Sequence, residues 1–557
     1  MTKFGKAFFT LLLLGLIGFG VYTRLSKAPV TADHKNKPGT TQVSQPGPSD
    51  GGSEDLSKLP EAMDGVPQIG ASAPFVPQDN ILLIELSTYA GYSGIIAANG
   101  GLEPNPNSLF AKYGFKVKLS LTEEESWPAL NSGKLAASAT TVDVLAAYGK
   151  QFNVVVPLQI GFSRGADGLI VNRNIKSINA LAGKTVITSQ FTEADFFLRY
   201  LAQEAGLSVA IRPSFAAKPD PERINVIYHE NAGMAGELFL KLLTANDQQL
   251  AGTVTWAPTT TAVVDGSNGK AFQLVSKRNL LIIADILIVN RGFAEANPKM
   301  VAGLVEGILE GNRMVRENPE PHIAVLAKAF KWDAAQTRAE LAKVHLSNLP
   351  ENEAFFSGAI NAAGSYGSIY YSATTAYGPE LIKNPADSDR FLSLDTLKNL
   401  KKEGKFADQK ISIEPLRSPS AGGTVEDNPL LSRNIRFLFL PNDDKLDMAK
   451  PTNIKDLDAI KQMLQTSPGS TVLLRGHVDN AQIPAFRKSG GEELVKRKAM
   501  DAFDLSKRRA AEIKRILIEK YQISDKRIDT IGRGWEEPAG TESDQNRRVE
   551  VQWFTLE

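Results

Sequence analysis

The stretch "NILLIELSTYAGYSG", residues 80–94, marks the change from a polar, Pro/Gly-rich sequence to a folded pattern. It predicts an apolar strand that ends in Ser87, Thr88 and Tyr89. In open α/β sheets, ligands lie beyond the carboxyl ends of the strands. The polar residues after this strand are therefore candidates for a binding site.

The same alternation continues to about residue 385. Strands separated by helix-length segments predict parallel α/β units with helices on both sheet faces. After residue 291 the sequence is mainly helical. The apolar runs that predict strands are 136–140, 152–162, 168–172, 184–188, 224–229, 252–256 and 279–291.

Four dispersed motifs in this region resemble those of the solute-binding proteins of ABC transporters, of the nitrate, taurine and thiamine-precursor type. The resemblance covers residues 80–390 and implies a two-lobe periplasmic-binding-protein fold, type II-like, that closes on a small molecule. Helix N-termini in such a site favour an anionic solute. The motifs are "ESWPALNSGKLAASATTVDVLAAYG" (125–149), "SRGADGLIVN" (163–172), "INALAGKTVIT" (178–188) and "TWAP" (255–258).

Positions at strand ends and helix starts give the predicted solute-binding residues. Ser and Thr at such positions are also ordinary helix N-caps, and a Trp there can equally be a core residue. Asp167 is a further charged candidate. The predicted set is Ser87, Thr88, Tyr89, Thr140, Thr141, Arg164, Ser189, Thr192 and Trp256.

The C-terminal region contains a second group of motifs, which begins with "LLRGHVDNAQ" (473–482). An Asp and a His here follow an apolar strand directly. With the motifs at 505–510 (LSKRRA), 532–538 (GRGWEEP) and 546–550 (NRRVE), this segment resembles the OmpA-like peptidoglycan-binding domain, a small α+β unit. The resemblance covers about residues 430–557.

That resemblance implies a site for the free end of the diamino acid in the peptidoglycan stem peptide. Asp479 would accept its ammonium group and Arg509 would bind its carboxylate through two parallel donors. Asn546 and Arg548 would line or brace the pocket. Asp479 and Arg509 are 30 residues apart, further than is common in the family, because of an insertion at 481–502. A hairpin-like detour there lets them meet, whereas a rigid extension of the helix alters the pocket.

The N-terminus combines Lys3 and Lys6 with an uncharged run from Ala7 to Thr23. This pattern favours an uncleaved membrane anchor over a cleaved signal peptide, since no small-residue cleavage site follows. The chain has no Cys, so a lipid-modified Cys is excluded as the tether. The next segment is rich in Pro, Gly, Ser and charged residues and predicts a flexible linker.

The sequence as a whole predicts a non-enzymatic protein of the periplasm or cell envelope, anchored to the inner membrane, with an ABC transporter as a further partner. A net charge of +1 argues against nucleic acid. A related enzyme that makes a thiamine pyrimidine needs a Cys-lined iron site and pyridoxal phosphate, and this chain lacks Cys. With five His and no HExxH, no metal, cofactor or catalytic residue is expected.

The alternative is a wall-anchoring scaffold or stator-like protein, although a proton-driven stator needs an ionisable group that the run 7–23 lacks. The expected organisation is an α/β solute-binding domain followed by a small α+β domain. Its segments are a membrane anchor or signal (1–27), a flexible linker (28–79), the solute-binding domain (80–407), a second linker (408–430) and the OmpA-like domain (431–557).

Overall fold

A computed structural model describes residues 59–122, 126–276, 280–360, 364–413, 429–440, 443–466 and 470–554. The predicted membrane anchor (1–27) and the first part of the predicted linker lie outside these ranges. Among the residues described, no helix has the length and apolar character that crossing a membrane requires.

The strands and helices alternate over most of these ranges. The strands are β1 (Ile81–Ser87), β2 (Lys116–Thr122), β3 (Ala137–Thr141), β4 (Val154–Ser163), β5 (Gly168–Asn172), β6 (Thr185–Ser189), β7 (Val209–Ile211), β8 (Ile224–His229), β9 (Gly252–Thr255), β10 (Ala271–Ser276), β11 (Ala284–Asn290), β12 (Val344–Leu346), β13 (Leu431–Ile435), β14 (Thr471–Gly476), β15 (Ile528–Gly532) and β16 (Val549–Phe554). The α-helices are α1 (Ser93–Asn99), α2 (Trp127–Asn131), α3 (Val142–Tyr148), α4 (Glu193–Glu204), α5 (Ala232–Thr244), α6 (Thr259–Gly266), α7 (Arg291–Ala296), α8 (Pro298–Glu317), α9 (Ile323–Phe330), α10 (Ala334–Leu341), α11 (Leu349–Ser357), α12 (Tyr366–Leu381), α13 (Asp395–Lys402), α14 (Pro451–Thr466), α15 (Ile483–Glu519) and α16 (Ser543–Asn546).

The strands form three sheets. The first has the order β12-β4-β11-β3-β1-β2, the second β10-β5-β9-β6-β8-β7, and the third β13-β16-β14-β15. The chain builds β1–β4 in the first sheet, crosses to build β5–β10 in the second, and returns to the first for β11 and β12. The mixed α/β fold is therefore confirmed, and two crossings link its two larger sheets.

The sheets are mixed, which differs from the predicted parallel units. β1 pairs in parallel with β2 and β3, as expected, but β11 is antiparallel to both β3 and β4. The reason is the chain path. β11 enters the first sheet from the second one, and it does not follow a helix that packs back on the same sheet.

Residues 59–79, predicted as the end of a flexible linker, lie against the first two sheets. Ile69 and Phe75 are buried, and amide side chains of the folded region bind the backbone of this segment. Asn290, for example, accepts from the Phe75 N–H at 3.1 Å and donates to the Ala73 carbonyl at 2.9 Å. Gln190 binds both the N–H and the carbonyl of Met63 in the same way. Composition did not reveal this order because much of it comes from hydrogen bonds to the side-chain amides of residues that are distant in the sequence.

The third sheet belongs to the C-terminal region. β16 pairs antiparallel with β13 and β14, and β14 pairs in parallel with β15. Helices α14 and α15 pack on this sheet, with Leu457, Leu464, Ile513 and Leu517 fully buried. The predicted small α+β unit is present.

Helix α15 contains the insertion and reverses direction at Gly490–Gly491, where the backbone is not helical. Gly491 has φ +62°, which an L side chain adopts only with strain. A straight helix would separate Phe486 from Phe503 by about 25 Å. Instead, Phe486 stacks on Trp535 at 6.2 Å, and the neighbouring Gly534 contacts Phe503. The insertion is therefore a helical hairpin. This is the sequence alternative that lets Asp479 and Arg509 meet.

The C-terminal unit contacts the unit that contains the second sheet. The Asn179 side chain accepts from the Ser432 N–H at 2.9 Å and donates to the Ser432 carbonyl at 3.0 Å. The Ile178 N–H donates to the Leu430 carbonyl at 2.9 Å. One edge of β13 is thus bound by backbone-type hydrogen bonds to a loop before β6.

Candidate binding sites

A cavity lies between the first and second sheets, where the chain crosses between them. The ends of β1 and β3 contribute Ser87, Thr140 and Thr141, and the second sheet contributes Asp167 before β5 and Trp256 after β9. The open space measures about 360 Å³ including its mouth. A cavity of this size suits a small molecule.

The structure brings together five of the nine predicted solute residues: Ser87, Tyr89, Thr140, Thr141 and Trp256. Asp167, the further candidate, lines the cavity with them. These residues meet because each follows a strand or precedes one at the same edge of its sheet.

The other four predicted residues do not line this cavity: Thr88, Arg164, Ser189 and Thr192. Ser189 donates to the Glu230 carbonyl at 3.2 Å, and Thr192 donates to the Ser189 carbonyl at 2.9 Å. Their hydroxyl groups hold the loop between β6 and α4. Thr192 precedes α4 as its N-cap residue, but its side chain makes no capping hydrogen bond to the helix.

Four lining residues were missed: Tyr92, Glu193, Ile283 and Asp285. Asp285 had a readable signal, because it is the single acidic residue in the apolar run 279–291. A charge inside a buried strand is costly unless it is compensated, so it points to a function. Tyr92 and Glu193 had no comparable signal, since each requires knowledge of which loops meet.

Two buried carboxylates line the cavity. Asp167 and Asp285 are 3% and 2% exposed. The hydroxyls of Tyr89 and Tyr92 lie 3.5 and 3.4 Å from the two carboxylate oxygens of Asp285. Burial, followed by the charges of Asp285 and Asp167, raises the pKa of Tyr89 well above its usual value. Tyr89 therefore stays neutral, and its hydroxyl donates to Asp285.

The hydroxyl groups of Thr140 and Thr141 are buried, at 1% and 5% exposure, without a hydrogen-bond partner. Buried polar atoms are normally paired, and leaving one unpaired costs about 1–3 kcal/mol. These two hydroxyls line the cavity, so a bound molecule is the natural source of their partner.

The described residues that line the cavity include three carboxylates, from Asp167, Glu193 and Asp285. Each of the three takes part in further interactions, so the lining does not fix the charge of a solute. An anionic solute stays a prediction from the helix N-termini.

A second cavity, with about 960 Å³ of open space, lies at the carboxyl end of β14 in the C-terminal unit. Arg509 and Arg548 line it, together with Arg436, Arg547 and the apolar residues of 437–440. Arg509 stacks on Phe439, with its guanidinium carbon 4.8 Å from the ring centre. Its Nε is buried without a partner. Burial and the nearby charge of Arg547 lower the pKa of Arg509.

Asp479 lies beside this cavity and is bound on three sides. Ser543 donates to it at 2.6 Å, the Ala481 N–H at 2.9 Å and Arg547 at 3.1 Å. Partial burial raises the pKa of Asp479, but these hydrogen bonds outweigh burial and bring the pKa below its usual value. The carboxylate is therefore ionised and available at neutral pH.

Arg547 pairs with Asp479 at 3.1 Å and lines the same cavity as Arg509, so it lies between the two predicted residues. The helical hairpin makes this possible across 30 residues of sequence. Arg547 was missed as a contributor, although it lies inside the NRRVE motif. Its role could not be read because the motif does not say which of two adjacent arginines faces Asp479.

Asn546 and Arg548 brace the surroundings. Asn546 is 1% exposed, accepts from the N–H groups of Ala539 and Gly540, and does not line the cavity. Arg548 lines the cavity and donates to Asn434 at 3.1 Å and to the Glu537 carbonyl at 3.2 Å. Asn546 therefore holds the loop at Ala539 and Gly540, whereas Arg548 lines the cavity.

The motif glycines explain how α15 reaches the site. Gly476 and Gly532 are paired across β14 and β15, directly under this helix. A Cβ at Gly476 would lie 2.1 Å from the Ser506 carbonyl oxygen, so only glycine allows this approach. Ser506 is buried and accepts from the Gly534 N–H at 3.0 Å. The close packing of α15 on these glycines positions Arg509, and Gly476 also lines the cavity.

One cluster in the described part of the chain has the composition of a metal site. His477, Glu537 and Glu550 bring potential ligand atoms within 4.8 Å of one another. Arg475 already binds both carboxylates, at 2.7 Å to Glu537 and 2.6 Å to Glu550. The guanidinium thus supplies the positive charge that a metal ion would otherwise bring.

Comparison with known proteins gives the class of the C-terminal unit. Residues 438–552 match the model of the OmpA family, which confirms the sequence resemblance.

Solved structures similar to the chain include periplasmic binding proteins of ABC importers. One is the periplasmic aliphatic sulphonate binding protein of Escherichia coli (17% identity, TM-score 0.42, 56% of this chain and 97% of that chain). Another is the nitrate-binding protein of Synechocystis PCC 6803 (12%, 0.41, 59% and 89%). A desulfurization enzyme is also similar (10%, 0.38, 58% and 100%).

Proposed function

We propose that the protein is a non-enzymatic binding protein of the cell envelope that combines two sites. The C-terminal unit binds the diamino acid of the peptidoglycan stem peptide. The two-sheet unit, with a type II-like periplasmic-binding-protein fold, binds a small solute between its sheets. In this arrangement residues 1–27 anchor the chain in the inner membrane, and an ABC transporter is a partner that receives the solute.

The observation that carries the wall-binding part is the meeting of an ionised Asp479 and a half-buried Arg509 beside one cavity. A diamino acid ends in an ammonium and a carboxylate on the same carbon. An anion and a cation side by side match that pair of charges. Arg547 donates to Asp479 in this structure and would have to share the carboxylate with the incoming ammonium.

Purified peptidoglycan sacculi test the wall-binding part directly. The full-length chain should sediment with sacculi, and Asp479→Asn and Arg509→Ala should each reduce the bound fraction at least tenfold. Arg508→Ala is the matched control, because the neighbouring Arg508 is 58% exposed and pairs with Asp444. Equal binding of the Arg508 and Arg509 variants would refute the assignment.

The solute-binding part is supported by the cavity at the junction of the two sheets and by the unpartnered hydroxyls of Thr140 and Thr141. A molecule that binds only the folded form must raise the stability of the protein. Thermal unfolding of the full-length chain with a panel of small cations, anions and neutral solutes measures this effect. If no solute raises the melting temperature, the wall-anchoring scaffold becomes the better description of the protein.

A further inference from the structure

Resting on the proposed wall-binding function, we infer that the cavity of the C-terminal unit binds two carboxylates of one stem peptide. Arg509 takes the carboxylate of the diamino acid, and Arg548 is a second carboxylate site for a neighbouring residue of the same stem. Stem peptides carry such further carboxylates at their D-glutamate residue and at their C-terminal end. Arg548 therefore selects acidic stems over amidated ones.

Two buried guanidinium donors line this cavity without a partner. The Nε of Arg509 and the Nη1 of Arg548 have no hydrogen-bond partner among the described residues. A buried donor that carries charge costs more when it is unpaired than a neutral one. Burial is also the main cause that lowers the pKa of each guanidinium. A carboxylate pairs with such a donor through a charge-assisted hydrogen bond.

Neutral oxygen atoms hold the Arg548 guanidinium in place. Its Nε donates to the Asn434 side chain at 3.1 Å, and its Nη2 donates to the Glu537 carbonyl oxygen at 3.2 Å. Arg547, the preceding residue, donates to the Asp479 carboxylate instead. The two adjacent arginines thus bind different groups. A ligand whose ammonium binds Asp479 leaves Arg548 for a second anion.

The protein carboxylates that act on Arg548 are already bound by another guanidinium. Glu550 and Glu537 both favour the charged form of Arg548. Arg475, however, binds Glu537 at 2.7 Å and Glu550 at 2.6 Å. Neither carboxylate belongs to the described lining of the cavity. A ligand carboxylate therefore reaches Arg548 from a side on which the described lining places no like charge.

The cavity is also larger than the end of one amino acid requires. Its open space of about 960 Å³ lies in the range of sites that take ligands of several residues or of drug size. The apolar residues 437–440 line it together with the arginines. The methylene chain of a diamino acid can pack on this apolar surface, while the next residue of the stem extends to Arg548.

Isothermal titration of the full-length chain with matched stem peptides tests the inference. The reference peptide is L-Ala-γ-D-Glu-meso-diaminopimelate-D-Ala with all its carboxylates free. A second peptide carries isoglutamine in place of D-glutamate, and a third has its C-terminal D-Ala carboxylate amidated. We expect an amide at one of these two places to weaken binding at least tenfold. That place identifies the carboxylate that Arg548 binds.

Arg548→Gln separates a binding role from a structural one. This variant should bind the reference peptide at least tenfold more weakly than the parent protein does, and it should bind the acid and amide peptides equally. A merely structural role would weaken all three peptides by the same factor and preserve the preference. Arg508→Gln is the matched control, because Arg508 is 58% exposed and pairs with Asp444. It should keep both the affinity and the preference.

The outcomes distinguish this inference from the proposed wall binding. Equal binding of the three peptides by the parent protein, or a preference that Arg548→Gln retains, overturns the inference. Failure of all three peptides to bind overturns it as well. Sedimentation with sacculi decides the proposed function independently in each case. Circular dichroism shows whether Arg548→Gln is folded. If it is not, Arg548→Lys takes its place and should reduce the preference, because lysine keeps the charge but lacks the parallel donors.

Discussion

At the scale of single residues, the cavity between the first and second sheets contains buried hydroxyl groups that the fold leaves without a hydrogen-bond partner. The Thr140 hydroxyl has no partner although the residue is 1% exposed. Such groups persist at functional sites because a ligand completes them, and the free protein is less stable as a result.

Thr140→Val tests the stability cost of this unpaired hydroxyl, since valine has nearly the same shape as threonine without the hydroxyl. We expect the free energy of unfolding to increase by about 1 kcal/mol, because a buried unpaired group is removed. Urea unfolding measures it. Thr188→Val is the matched control: Thr188 is fully buried but donates to the Val254 carbonyl at 3.0 Å, so this change should destabilise by about 1 kcal/mol. Destabilisation by both changes would show that Thr140 has a structural role.

The Asp479–Arg547 pair gives a second prediction at this scale. Hydrogen bonds from Ser543, Ala481 and Arg547 hold the pKa of Asp479 below its usual value of 3.8. A depressed carboxyl pKa stabilises the fold above the unfolded pKa, and that stabilisation is lost as the pH falls below it. Arg547→Gln should raise the pKa of Asp479, as measured by carbon-detected NMR titration of its carboxyl group. An unchanged pKa would mean that the exposed Arg547 is screened by solvent.

At the scale of elements, the reversal within α15 decides whether the wall-binding residues meet. Gly491 has φ +62° and ψ −164°, a conformation that is essentially restricted to glycine. Gly491→Ala should therefore cost about 1–3 kcal/mol of stability in the C-terminal unit, and it should reduce sacculus binding. Thermal unfolding and sedimentation measure the two effects.

Ser489→Ala, at an exposed helical position two residues earlier, is the control and should change neither property. If Gly491→Ala also changes neither, the hairpin does not constrain the site. The sequence alone could not choose between the hairpin and a rigid helix, because the Gly490–Gly491 pair is compatible with a kink as well as with a full reversal.

Much of the element pattern was readable from the sequence, because apolar runs such as 168–172 and 224–229 become strands with these same bounds. The pairing was not readable. Whether β11 joins β3 in parallel or antiparallel depends on where the chain has been in between, and local periodicity carries no such information. The same limit applies to the binding site. The sequence identified residues that directly follow strands, but Tyr92 and Glu193 could be identified only from the contact between the two sheets.

At the scale of the whole molecule, the second sheet is the part that contacts both the first sheet and the C-terminal unit. The first and second sheets share the inter-sheet cavity, and the loop before β6 binds β13 of the C-terminal unit through Asn179. A movement of the second sheet relative to the first would therefore also move the loop that binds β13. The second sheet therefore contacts both the cavity of the first two sheets and the C-terminal unit.

The last prediction concerns the pH dependence of this junction. Glu204, at the end of α4, is 8% exposed, and burial raises its pKa from 4.5 to about 7, although Arg433 of β13 opposes the shift. The folded state then holds a proton that the unfolded state releases above pH 4.5. Stability should therefore fall as the pH rises from 4.5 to 7, by about 3 kcal/mol in total.

Glu204→Gln should match the parent protein at pH 4.5 and exceed its stability at pH 8, in urea unfolding at a series of pH values. Glu237→Gln, at an exposed position of α5, serves as the control and should leave the pH profile unchanged. A profile for Glu204→Gln that parallels the parent protein would show that Arg433 keeps Glu204 ionised at the junction.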